Sequence, residues 1–207
     1  MRRAGYADPA HSAKLRRLRD LVAEAADNGL KVVVFSCYRE VLATVHSALG
    51  GTREGAPLHG PLTGAVPADG RQRLVDEFTA APGHAVLVAQ IQAGGIGLNL
   101  QAASVVVLCE PQLTPAIESQ AVSRAHRMGQ IRGVRVHRLL AADSVDQRLL
   151  DLLAVKSRLF DDYARRSDTA EAAPEAVDIS EQSLARRVVA QEQLRLALVG
   201  SGEAADG

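Results

Sequence analysis

Aromatic residues supply only 3% of this 207-residue chain, and tryptophan is absent. Leu, Val and Ala must therefore fill the core, within an apolar fraction of 47% that is ordinary for a globular protein. Charge of one sign is missing as well. Lys+Arg and Asp+Glu balance at 24 each, which excludes a wholly basic nucleic-acid coat and leaves only local patches. Cysteine is limited to Cys37 and Cys109, each closing an apolar run. Neither has enough neighbouring ligands for a metal site, so both read as buried free thiols of a reducing compartment. No apolar stretch approaches the roughly 18 residues of a membrane span. Met1-Arg2-Arg3-Ala4-Gly5-Tyr6 is basic but precedes no hydrophobic segment of a secretory signal. A cytoplasmic location away from membranes is expected.

Lysine is nearly absent too, being confined to Lys14, Lys31 and Lys156. The phosphate-cradling loop G-x-x-x-x-G-K-[ST] needs a Gly-Lys pair. The residues before the three lysines are Ala13, Leu30 and Val155, so the chain contains no such loop. Leu74-Val75-Asp76-Glu77 imitates a magnesium-holding acidic pair at a strand end, but Leu74, Val75 and Phe78 have helical spacing. The dinucleotide fingerprint G-x-G-x-x-G is also missing, because Gly95-Ile96-Gly97 runs on into Leu98, Asn99 and Leu100.

What is present is alternation. Asp8-Pro9 signals a helix start, and Leu15, Leu18, Val22 and Ala25 continue it to Asn28-Gly29. A β-branched strand follows at 31–36, then a helix over 39–49 and a brief strand at 57–59. A Gly- and Pro-rich loop over 60–70 leads to a helix at 71–80. Strands at 85–89, 104–109 and 134–139 come next, with a helix before the last and a long helix over 143–165. Such alternation predicts an α/β fold, a parallel sheet flanked by helices. The segment 161–181 carries seven acids against two arginines and reads as a linker before a terminal amphipathic helix. The expected organisation is a domain over 1–165, an acidic linker over 166–179, a C-terminal helical extension over 180–199 and a disordered tail over 200–207.

Two stretches carry candidate chemistry. Gly94, Gly95 and Gly97 follow a strand directly, where either a ligand or a tight turn explains them equally well. Asn99 suits a cap. The other stretch is Gln120-Ala121-Val122-Ser123-Arg124-Ala125-His126-Arg127-Met128-Gly129-Gln130. Read as a helix ending at glycine, it aligns Gln120, Arg124 and Arg127 on one face beside an apolar stripe of Ile117, Ala121, Ala125 and Met128. No acid occurs between Ser119 and Ala142. Arg132, Arg135 and Arg138 read as a solvated face, whereas Arg124 and Arg127 lack a local carboxylate. Guanidinium forks match phosphate oxygens, so the expected partner of this face is a phosphate anion.

In order along the chain, "KVVVFSCY", "PLHG", "R…LVDEF", "VLVAQIQAGGIGLNLQAASVVVLCEP" and "QAVSRAHRMGQ" resemble the successive motifs of one family. It is the C-terminal RecA-like domain of Swi/Snf-type ATPases of helicase superfamily two. The likeness covers about 12–165, and the tail resembles the extension of bacterial members. It implies a RecA-like fold and duplex DNA as a partner. It further implies ATP, with magnesium held mainly by a first RecA-like lobe on another chain or in a lost N-terminal part. By the same likeness Arg127 is an arginine finger, Arg124 its companion and Gln120 an ordering group of the cleft. Gly95 and Gly97 lie near the nucleotide, and His59, Gly60, Gln92 and Ala93 near one DNA strand. Gln90-Ile91 departs from the family's Ser-Thr, and Glu110-Pro111-Gln112-Leu113-Thr114-Pro115 lacks its tryptophan. A non-catalytic DNA- or protein-binding module derived from such a lobe is the alternative.

Overall fold

A computed structural model describes residues 12–50, 57–93, 98–112, 114–126, 133–141, 144–154 and 190. The chain divides into two compact units, Met1–Leu140 and Ala141–Gly207. Within the first, helix α1 spans Ala13–Asp27, β1 Val32–Ser36, α2 Arg39–Gly50, β2 Leu58–Leu62 and α3 Ala68–Ala80. Then come β3 Val86–Gln90, β4 Val105–Leu108, α4 Pro115–Ala125 and β5 Arg135–Arg138. The strands form one five-stranded sheet in the order β2-β3-β1-β4-β5, with every described pairing parallel. In the second unit residues 145–154 are helical. Ser144 Oγ accepts from the Asp146 amide at 3.2 Å, and Asp146 Oδ2 accepts from the Ala141 amide at 3.1 Å, so this helix start is capped by its own side chains. The rest of the expected long helix, the acidic linker, the tail and all of the terminal helix but residue 190, which is helical, lie outside the described residues.

The β-branched runs form strands because both their faces are covered. Val33, Phe35, Leu87, Val106 and Leu108 pack with Val75 and Phe78 of α3 and with Ala121 and Ala125 of α4. Val32, Val34, Val88 and Val107 pack on the other face with Leu18 and Val22 of α1 and Leu42 and Val45 of α2. Continuous apolar strands between two helical layers are the signature of a parallel sheet.

Three boundaries differ from the sequence reading. Helix α1 begins at Ala13 rather than at Asp8-Pro9, a dipeptide outside the described residues. Ser12 is extended (φ −124°, ψ 108°) and its side chain accepts from the Leu15 amide, which makes it the N-cap. Ser12→Ala is expected to cost about 1 kcal/mol, read as a lower thermal midpoint. Strand β2 continues through Gly60-Pro61, where a loop was expected; as an edge strand it tolerates proline, and its register against β3 shifts between His59 and Leu62. Helix α4 stops at Ala125, and His126 is extended (φ −113°, ψ 115°). In a longer helix the Arg124 carbonyl would accept from Met128; here the Leu100 amide takes it at 3.2 Å.

Candidate functional site

Outgoing chains leave β1 and β4 toward opposite faces, to α2 and to α4, so a topological switch point lies between their carboxyl ends. Open parallel sheets take ligands there. In this molecule the place is filled by the chain itself. The Glu110 carboxylate accepts from Ser36 Oγ at 3.1 Å and from the Cys37 amide at 2.5 Å. Gln90 donates to the Cys37 carbonyl at 3.3 Å and accepts from the Gly64 amide at 3.3 Å. Lys14 Nζ donates to the Cys109 carbonyl at 3.0 Å. Burial first, and then the Glu110 charge, push the Cys37 thiol up to about 12. Cys109 is raised chiefly by burial. Both cysteines are free, as expected.

The residues read from the sequence divide into two groups. Exposed Gln92 and buried Ala93 follow β3 at its carboxyl end, the latter seated in the core, whereas Gly60 sits in the middle of β2 against Val88 of β3. Gly95 and Gly97 lie outside the described residues. Asn99 caps a turn, its Oδ1 accepting from the Gln101 amide at 3.2 Å. His59 is turned inward: its ring meets Phe78 edge-on at 6.2 Å, its Nδ1 lies 3.8 Å from Glu77, and its buried Nε2 has no partner among the described residues.

The second group is on α4, which runs back from the carboxyl edge toward the amino ends of the strands. Gln120 is exposed and shares a face with Arg124. Ala121 and Ala125 are buried and Ile117 packs against the core, which seats the helix as the apolar stripe implied. Of the expected face of Gln120, Arg124 and Arg127, the first two are on α4, and Arg127 lies outside the described residues. The Arg124 guanidinium is half-buried, its Nη1 is enclosed, and no hydrogen-bond partner meets that nitrogen among the described residues. Burial lowers its pKa. A desolvated cation with an unmet donor is stabilised by an incoming oxyanion, so the residue fits a phosphate group. Among the described residues no three His, Cys, Asp or Glu side chains gather as a metal site, and no helix is long and apolar enough to cross a membrane.

Two acids outside the acid-free segment reach its later arginines. Arg135 pairs with Glu24 at 3.5 Å and Arg138 with Glu118. Sequence reasoning passed over Glu118 and met Gln90 and Glu110 only as departures from the family's motifs; the partners of all three are remote in the chain.

Burial lowers the His59 pKa from its ordinary 6.5, opposed by Glu77 and assisted by Lys31. The unfolded chain therefore takes up this proton first. The stability His59 contributes is complete above about pH 6.5 and declines as pH falls toward the lowered folded value. Thermal unfolding should thus show a midpoint that drops below pH 6.5, and His59→Gln should flatten that decline.

A parallel sheet with helices on both faces, five strands in this order, and an arginine-bearing helix after β4 define a RecA-like lobe. Residues 13–129 match the family described as Helicase conserved C-terminal domain, and the chain belongs to it. It is 36% identical over 152 residues to "Switch 2" of Arabidopsis thaliana, covering 73% of this chain and 17% of that protein. The C-terminal part of the Fun30 ATPase domain superposes with a TM-score of 0.64 at 26% identity, covering 73% of this chain and 47% of that one. The Sulfolobus solfataricus SWI2/SNF2 ATPase core domain gives 0.60 at 27% identity, covering 74% of this chain and 30% of that one. The lobe is thus of the SWI2/SNF2 type, and it spans a minor part of these relatives.

Proposed function

We propose that the chain is the arginine-bearing second lobe of a DNA-dependent ATPase and DNA translocase of the SWI2/SNF2 type, and that it completes a nucleotide pocket built mainly by a first lobe. The observation that carries this is the enclosed Nη1 of Arg124, which meets no hydrogen-bond partner among the described residues. A self-contained nucleotide enzyme would gather its groups at the switch point of its own sheet. Here that crevice is occupied by the Glu110, Ser36 and Gln90 hydrogen bonds, and Arg124 stands at the other end of the sheet. This arrangement suits a lobe that serves a neighbour's ligand. The absence of a Gly-Lys phosphate loop agrees with it.

ATP, when bound between two such lobes, supplies the phosphoryl group, and magnesium is assigned to the first lobe. Arg127 is placed as the finger that neutralises charge developing on the transferred phosphoryl group. Arg124 binds a phosphate oxygen and Gln120 orders the surface beside it. Gly95 and Gly97 bring backbone close to the nucleotide. Gly60, Gln92 and Ala93, with the backbone of His59, form the edge that meets the phosphates of duplex DNA.

The test mixes the full chain with a separately expressed first lobe of a SWI2/SNF2 ATPase and measures DNA-stimulated ATP hydrolysis. Turnover that exceeds the sum of the two parts supports the reading; a mixture no faster than the first lobe alone overturns it. The second reading, a non-catalytic DNA-binding module, draws on Gln92, exposed just past the carboxyl end of β3. It predicts duplex binding that falls steeply with salt. Loss of that binding in Arg124→Ala would assign the arginine to DNA rather than to nucleotide.

A further inference from the structure

We propose that Glu118 and Arg138 are a positioning pair that sets the orientation of α4, and through it the placement of Arg124. The inference rests on the second-lobe function proposed above. Glu118 lies in the first turn of α4, where the helix dipole favours an anion. Its side chain is only 13% exposed. Arg138, the last residue of β5, donates to Glu118 Oε1 from both Nε and Nη2. A charge-assisted, two-donor contact on a largely desolvated carboxylate is a stiffer tie than a surface ion pair. The Arg135–Glu24 pair, on the same strand, shows the contrast: 3.5 Å apart, with side chains 54% and 57% exposed.

The body of α4 gives the tie its importance. Its fully buried seats are the small Ala121 and Ala125, with Ile117 and Val122 only partly buried beside them. The polar contacts at its two ends then add to what fixes orientation about the helix axis. At the carboxyl end the Leu100 amide holds the Arg124 carbonyl. At the amino end Arg138 holds Glu118. A guanidinium about 6 Å from the helix axis moves about 1 Å for a rotation of about 10°, and such a misplacement costs up to about a hundredfold in rate.

The experiment compares Glu118→Gln, Arg138→Gln, the exchanged pair Glu118→Arg with Arg138→Glu, and Arg135→Gln as a control on the same strand. Each full chain is mixed with the first lobe, and kcat and KM for ATP are measured. Amide hydrogen exchange over 115–125 is followed in the chain alone. The expected result is a kcat/KM lowered by about tenfold to a hundredfold in the single variants, with KM raised and exchange over 115–125 accelerated. The exchanged pair should recover most of the kcat/KM, and Arg135→Gln should match the parent chain. Faster exchange with an unaltered kcat/KM makes the pair merely structural and overturns the proposal, as does an equal loss in Arg135→Gln. Unaltered exchange overturns it as well, and does so independently of any first lobe. An inactive parent mixture instead overturns the second-lobe function, and the positioning role falls with it.

Discussion

Replacing Arg127 by alanine is expected to lower ATP turnover of the reconstituted two-lobe enzyme by about a thousandfold, with KM changed far less. A loss of that size is about 4 kcal/mol of transition-state stabilisation. The reasoning is electrostatic. Charge spreads over the phosphoryl oxygens as the bond to the leaving group lengthens, and a guanidinium held outside water is placed to meet it. Arg127→Lys keeps the charge but loses the planar fork, so it should recover little of the rate. Arg124→Ala should weaken nucleotide affinity more than Arg127→Ala does, because its enclosed nitrogen is already poised for an oxyanion before the reaction starts. Phosphate-release kinetics at saturating and limiting ATP separate the two effects.

The largest effect on stability is expected from Gly60→Ala. Gly60 has φ +104°, a backbone conformation that residues with a Cβ rarely adopt. A Cβ there would overlap the Val88 carbonyl oxygen and lie 3.0 Å from the Leu62 amide nitrogen. Both contacts are backbone, and Val88 belongs to β3, buried on both faces, so neither can move cheaply. The strain and the overlap together should cost about 3 kcal/mol or more. For a chain of this length that lowers the thermal midpoint by about 10 °C. The control is Gly83→Ala, where φ is +65° but nothing lies within 4 Å of the added carbon. It should cost about 1–2 kcal/mol from the backbone conformation alone.

These positions also mark how far the sequence can be read. Strands β1, β3 and β4 were legible because their β-branched runs are buried on both faces, and burial of that kind leaves a local signature. The seat of α4 was legible for the same reason, since Ile117, Ala121 and Ala125 repeat at helical spacing. Gly60-Pro61 read as a loop because its composition is that of a loop; its strand character comes from pairing with β3, which no local pattern records. The end of α4 was hidden in the same way. The amide that takes the Arg124 carbonyl belongs to Leu100, 24 positions earlier, and only the folded chain brings them together. Glu118 drew no reading from the sequence, and Arg138 read as a solvated arginine. Their pairing spans 20 residues and two elements. Of the candidate site, the arginine helix and its acid-free surroundings could be read directly. The filling of the switch point by Glu110 could not, because a glutamate after a strand has many possible partners.

The occupied crevice and the distant Arg124 support the proposal that this lobe serves a ligand gripped elsewhere. The most direct measurement is steady-state ATP hydrolysis by the pure 207-residue chain, with duplex DNA and magnesium in excess and no first lobe present. The account predicts no turnover above background. Robust hydrolysis that disappears in Arg127→Ala would contradict it, since the chain would then hold, activate and cleave the nucleotide in a pocket of its own.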